Sequence, residues 1–274
     1  MKKIKFIALG VLAFITIAST VFISCRKEQA IDIKQNIENS AKYLSSYSPL
    51  DFTQINLGTL HNQYVINSYN NLDFSKSTWR EDLFNNYSNI NFDPTPLGLT
   101  HAQFVERLRT FNNQMASFSY DVRNATTSPI NENISPFVNQ ILNECDNITS
   151  LEVFNTKLNE IQTNAEHTLY GQDLDIIKAS IIVGRSSAYL WAPKSISGYG
   201  LFDQLKMRTK TYNVNVCAKG WRGAVVGDVS ASAQYFTGLG IGIAIGWVPG
   251  ANVVILESWG IAAAIGSACG ALGF

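Results

Sequence analysis

The final 46 residues of the chain constrain its fold more than any other feature. Between Asp228 and Glu257 the sequence contains 28 residues without a charge, and another 17 uncharged residues follow Glu257. Pro249-Gly250 divides this stretch into two apolar arms of about 20 residues each, and a helix of that length spans about 30 Å, the hydrocarbon thickness of a bilayer. The sequence therefore predicts an apolar helical hairpin within residues 216–274.

Small residues repeat at every fourth position in both arms of this hairpin. On a helix, that spacing forms a smooth stripe along which two backbones approach closely, as they do between helices in lipid. We expect the stripe to mediate helix packing, membrane contact or self-association through Gly238, Gly242, Gly246, Ala262, Gly266 and Gly270.

Two locations for the hairpin remain open. Its arms are long and poor in charge, which favours contact with a bilayer, and Glu257 would lie in the outer third of an inserted arm. Against insertion, the first arm also carries polar residues such as Ser230 and Gln234. In the alternative, the rest of the protein covers the hairpin, and Trp247 and Trp259 fill the interface of a soluble core.

Upstream of the hairpin, apolar residues recur at helical spacing behind recognisable caps. Three predicted helix starts carry capping residues: Thr100 with Gln103, Thr149 with Glu152, and Ser135 with Pro136. Further helices are expected at residues 29–46, 54–70, 76–87 and 172–190, whereas Thr209–Cys217 alternates as a short strand does. The sequence predicts an all-α protein, with an antiparallel helical bundle in residues 25–215 followed by the hairpin.

The N-terminus has the pattern of an export signal, because Lys2, Lys3 and Lys5 precede an apolar run from Phe6 to Ile23. We expect a signal peptide in residues 1–24.

The next motif, Phe22-Ile23-Ser24-Cys25, resembles the lipobox of bacterial lipoproteins. The resemblance implies that the Cys25 thiol receives a diacylglycerol group, that the chain is cut just before it, and that acyl chains such as palmitate hold the mature protein on a membrane. No aspartate follows Cys25 directly, which implies the outer membrane and leaves its periplasmic and surface faces open. An ordinary signal peptide, or an uncleaved anchor helix with an incidental cysteine, is the alternative.

Three features together resemble uncharacterised lipoproteins of Bacteroidota. They are Leu60-His61-Asn62 on an early helix, the serine-rich stretch Ser186–Trp191 that ends in aromatic residues, and the small-residue C-terminus. This resemblance implies no known activity, ligand or cofactor.

Residues that could carry chemistry are few. The formal net charge is zero and the basic residues are scattered, so the sequence offers no electrostatic case for nucleic-acid binding. The three histidines, His61, His101 and His167, lie on different predicted helices without metal-binding spacing. His61 is the best single candidate for a site, and we interpret it first as a hydrogen-bonded core histidine.

Beyond Cys25, three cysteines remain, so at most one internal disulfide can form. A bridge between Cys145 and Cys217 is compatible with the sequence but not implied by it, and Cys269 is expected to be a small buried apolar residue.

These observations favour a non-enzymatic, membrane-anchored lipoprotein without metal or cofactor, whose hairpin contacts a bilayer or self-associates. An inserted hairpin could form a pore or act as a toxin. The alternative is a lipid-tethered soluble binding or scaffold module in which the hairpin is the buried core. A hydrolase or metal enzyme that uses His61 is the third hypothesis.

Overall fold

The computed structural model describes residues 56–88, 92–117, 131–212, 220–238 and 251–272, all within one compact unit that spans residues 49–274. The predicted signal peptide, Cys25 and the helix expected at 29–46 lie outside the described residues. The described residues form nine α-helices and no strand, which confirms the all-α fold. The helices are α1 (Leu57–Asn70), α2 (Trp79–Ser88), α3 (His101–Ser117), α4 (Ser135–Asp146), α5 (Leu151–Thr168), α6 (Gly171–Trp191), α7 (Leu201–Lys210), α8 (Trp221–Gly238) and α9 (Ala251–Leu272).

Side-chain caps fix where two of these helices begin. Before α3, Thr100 Oγ1 accepts the amide hydrogen of Gln103 at 3.3 Å, and Gln103 Oε1 accepts that of Thr100 at 2.9 Å, which confirms the predicted capping box. Before α5 the cap is Ser150 rather than Thr149, because the Ser150 hydroxyl accepts the amide hydrogen of Val153 at 3.2 Å. The second prediction was therefore one residue early. The third is wrong, because Ser135 is already the first residue of α4 and Ile134 precedes it without a side-chain cap.

The apolar faces predicted for α3 and α5 are buried in the bundle core. The buried side chains are Phe104, Leu108, Phe111 and Met115 on α3 and Phe154, Leu158, Ile161 and Ala165 on α5. Full burial of a large apolar side chain stabilises a fold by about 1.5–3 kcal/mol, so these faces hold both helices against their neighbours.

The segment after α6 differs from the prediction. The strand expected at Thr209–Cys217 is wrong where the structure describes it, because Thr209 and Lys210 belong to α7. There the Thr209 hydroxyl donates to the carbonyl of Leu205 at 3.0 Å, a bond that lets threonine sit inside a helix. Residues 213–219 lie outside the described residues.

The helices α8 and α9 lie at the centre of the bundle. They pack mainly against each other; α8 also contacts α6, α4 and α3, and α9 also contacts α1, α3 and α2. Val253–Leu272 is the one helical stretch among the described residues that is long and apolar enough to cross a membrane, with a mean hydropathy of 1.6. Of its apolar window, 83% is buried inside the bundle.

Glycines allow α8 and α9 to touch backbone to backbone. A Cβ atom on Gly227 would overlap the carbonyl oxygen of Gly266, and one on Gly270 would overlap the carbonyl oxygen of Gly223. The predicted role of Gly266 and Gly270 in close helix packing is thus observed, but their partners lie in the first turns of α8.

The other predicted stripe residues have different outcomes. Ala262 is fully buried on α9. Gly238 is the last residue of α8, whereas Gly242 and Gly246 lie outside the described residues. The first arm begins at Trp221, earlier than the charge-free stretch alone suggested.

Candidate functional site

One of the two fully buried aspartates among the described residues lies near the middle of α8 and is contacted from three other helices. Asp228 is fully buried, which aspartate seldom tolerates without partners. His61 of α1, Ser187 and Trp191 of α6, and Ser267 of α9 surround it, and all four are fully buried as well. We call these five residues the Asp228 cluster.

Three donors point at the Asp228 carboxylate. The Ser187 hydroxyl donates to Oδ2 at 2.5 Å, and the Trp191 indole Nε1 donates to the same oxygen at 3.3 Å. The Ser267 hydroxyl donates to the other oxygen, Oδ1. Because hydrogen bonds to an ionised acceptor are stronger than neutral ones, these donors offset much of the cost of removing the carboxylate from water.

His61 completes the cluster from α1. Its Nε2 lies 3.1 Å from Asp228 Oδ2, off the direction of an aligned hydrogen bond, so the contact is chiefly electrostatic. Its Nδ1 lies 2.9 Å from Asn62 Oδ1, and Asn62 Nδ2 donates to the carbonyl of Ser186 at 3.1 Å. Since the amide of Asn62 donates through Nδ2, its Oδ1 is the acceptor and Nδ1 of His61 carries a hydrogen. The interpretation of His61 as a hydrogen-bonded core histidine is confirmed.

The cluster contains serine, histidine and aspartate without the geometry of a hydrolase triad. In such a triad the imidazole lies between the hydroxyl and the carboxylate. Here the Ser187 hydroxyl and the His61 ring both contact Oδ2 of Asp228, so the carboxylate lies between them. One carboxylate of α8 therefore joins side chains from α1, α6 and α9.

A second polar contact joins α8 to α9. The Trp259 indole donates to the carbonyl and hydroxyl oxygens of Ser232 at 2.9 and 3.0 Å, and its ring stacks on Tyr235 with centroids 4.9 Å apart. The Tyr235 hydroxyl also lies in hydrogen-bond contact with Ser258. Trp259 therefore fills the interface between the two central helices, which agrees with the soluble-core alternative, while Trp247 lies outside the described residues.

Two thiols, those of Cys145 and Cys269, lie close to the Asp228 cluster, and burial makes them poorly reactive. Burial, reinforced by the charge of Asp228, raises the pKa of Cys269 to about 12 and raises the pKa of Cys145 still further. Both are free cysteines. Cys145 is therefore not bridged to Cys217, which itself lies outside the described residues.

The remaining histidines do not join the cluster. His101 and His167 are exposed at the start of α3 and near the end of α5. Within the described residues no group of histidine, cysteine and acidic side chains could hold a metal ion.

Glu257, the one charge in the predicted second arm, lies at the edge of the core. Partial burial raises its pKa above the ordinary value. Burial, with a smaller contribution from the charge of Glu257, also raises the pKa of the neighbouring Tyr64 to about 12.

No sequence motif marks the cluster as a unit. In the sequence Asp228 is only the boundary of the charge-free tail, although a lone acid beside a long apolar stretch is itself a signal for a buried partner. That partner, His61, lies at the other end of the described chain. No protein family, curated protein or solved structure matches this chain, so its site is interpreted from its own geometry.

Proposed function

We propose that this protein is a non-enzymatic lipoprotein of the cell envelope, tethered through an acylated Cys25, whose helical bundle acts as a binding or scaffold module. In this proposal the C-terminal hairpin serves as the core of the bundle. The observation that supports it most is the enclosure of α9, of which 83% of the apolar window is buried by protein.

The polar contacts of α8 support the same proposal. If α8 and α9 moved into a bilayer, Asp228 would leave His61, Ser187 and Trp191, which belong to α1 and α6. A charged aspartate at the centre of a membrane helix costs about 2.5–3.5 kcal/mol on insertion scales. Retaining the hairpin in the bundle avoids that cost and keeps every member of the Asp228 cluster partnered.

The lipid tether is tested by mass spectrometry of the mature N-terminal peptide from the native host. The proposal predicts a peptide that begins at Cys25 and carries the mass of a diacylglycerol group, with or without a further acyl chain. An unmodified Cys25, or a chain that retains residues 1–24, contradicts it.

A second candidate function is membrane insertion of the hairpin after the bundle opens, with a pore or toxin-like outcome. The length and hydropathy of Val253–Leu272 favour it, since 20 such residues suffice to span a bilayer. Release of a fluorescent dye from loaded vesicles would support this candidate, and intact vesicles at saturating protein would oppose it.

A further inference from the structure

Large aromatic and apolar side chains are exposed along one segment of the chain, from the last turn of α6 to the residues after α7. Tyr189 is 53% exposed, Tyr199 42%, Met207 68% and Tyr212 48%. They are four of the seven large hydrophobic residues that stay exposed among the described residues. This segment therefore exposes more large hydrophobic side chains than the other described parts of the bundle.

Contacts within the segment bring its parts together. The amide of Tyr199 donates to the carbonyl of Tyr189 at 2.7 Å, which folds the chain after α6 back onto that helix. A Cβ atom on Gly200, just before α7, would lie nearest to the Lys194 side chain. α7 buries Leu201, Phe202, Leu205 and Thr209, so its opposite face points to solvent and carries Asp203, Lys206, Met207 and Lys210.

The same segment is basic in a chain of zero net charge. Residues 189–212 contain four basic residues and one acidic residue, Asp203. Lys194, Lys206 and Lys210 are exposed, whereas Arg208 is engaged with backbone carbonyls of α1 and the loop after it. By contrast, residues 135–168, which form α4 and α5, contain five acidic residues and one lysine. The two ranges therefore differ in the sign of their formal charge.

We propose that this tyrosine–lysine surface, formed by Tyr189, Lys194, Tyr199, Lys206, Met207, Lys210 and Tyr212, docks on an anionic bilayer. Tyrosine is enriched where proteins meet the headgroup region, and lysines beside it are attracted to anionic lipids.

The tether of the proposed function supplies the bilayer on which this inference rests. Thirty residues separate Cys25 from Asn56, the first described residue, and such a chain reaches at most about 100 Å. A tether of this length holds the bundle near the membrane and raises the effective concentration of a weak docking surface.

The test uses protein without residues 1–24 and with Cys25→Ala, so that binding does not depend on lipidation. Its sedimentation is compared between vesicles of phosphatidylcholine and vesicles that contain equal parts of phosphatidylglycerol. We expect binding to the anionic vesicles only, reversed by high salt. Because each surface lysine contributes to attraction, Lys194→Gln, Lys206→Gln and Lys210→Gln together should weaken binding by at least about tenfold. Circular dichroism verifies that the variant remains folded.

A matched control replaces equally exposed residues elsewhere. The combination of Val153→Ser, Lys157→Gln and Tyr170→Ser, on α5 and the turn after it, should leave vesicle binding unchanged. Equal binding by the lysine variant and the parent, or no binding of the parent to anionic vesicles, overturns the docking surface. Binding that resists carbonate and persists in the lysine variant would come from the hairpin and would overturn it as well. None of these outcomes depends on the mass of the native N-terminal peptide, so the tether and the docking surface fail separately.

Discussion

The structure makes its sharpest prediction for the stability lost when the Asp228 carboxylate is removed. Asp228→Ala leaves the Ser187 and Ser267 hydroxyls and the Trp191 indole without their acceptor, and it removes the carboxylate that faces Nε2 of His61. A buried donor that loses its partner costs about 1–3 kcal/mol, and three donors lose their acceptor here. The serine hydroxyls can rotate towards helix carbonyls, which lowers the sum. We therefore expect a loss of about 3–5 kcal/mol, a large part of the 5–15 kcal/mol that is typical of a domain.

The assay is equilibrium unfolding in urea, followed by far-ultraviolet circular dichroism on protein without the signal and with Cys25→Ala. The urea midpoint should fall strongly in Asp228→Ala at similar slope, and less in Asp228→Asn, which keeps the shape and one acceptor oxygen. Asp203→Ala is the matched control, because Asp203 is exposed on α7 and its loss should change stability by less than about 0.5 kcal/mol. A loss below about 1 kcal/mol in Asp228→Ala would refute the role of the Asp228 cluster.

Three further predictions concern the core around this cluster. Gly227→Ala should destabilise the bundle by about 1–3 kcal/mol because its Cβ meets backbone, whereas the Cβ of Gly184→Ala meets only side chains, of which Val229 is the nearest; equal urea midpoints would contradict this. Cys145 and Cys269 should resist iodoacetamide at pH 8 in the folded protein and react in urea, since burial raises both pKa values; peptide mapping that finds either labelled under native conditions would contradict their burial. Glu257→Gln should raise the urea midpoint slightly at pH 7, because burial raises the pKa of Glu257 and disfavours its charged form. Protonation at lower pH removes that penalty from the parent, so the two midpoints should converge below the ordinary value of 4.5, and a gap that does not vary with pH would refute the cause.

Local patterns predicted most of the helices because the forces that define them are local. The capping box at Thr100 and the apolar faces of α3 and α5 depend on residues three and four apart, and the structure contains them as expected. The break at Pro249-Gly250 likewise predicted the start of the second arm, since α9 begins at Ala251. α7 was not predicted because the residues at its end and after it alternate between apolar and polar, as they do in a strand. In the structure Leu205 is buried as part of a helix.

Register between distant elements could not be predicted in the same way. Glycines four residues apart occur both at Gly223 and Gly227 and at Gly238 and Gly242, so spacing alone fits either pair to α9. The structure places Gly223 and Gly227 against α9, where the packing of neighbouring helices selects the register. The partnership of His61 with Asp228 has the same origin, because it exists only once α1 and α8 lie side by side.

Alkaline carbonate extraction tests most directly whether the hairpin is the core of this protein. The chain without residues 1–24 and with Cys25→Ala is expressed, mixed with membranes and extracted. With α9 enclosed by the bundle, the protein should appear in the supernatant and unfold cooperatively in urea. Recovery of folded protein in the membrane pellet, with α8 and α9 protected from protease by lipid, would contradict the account.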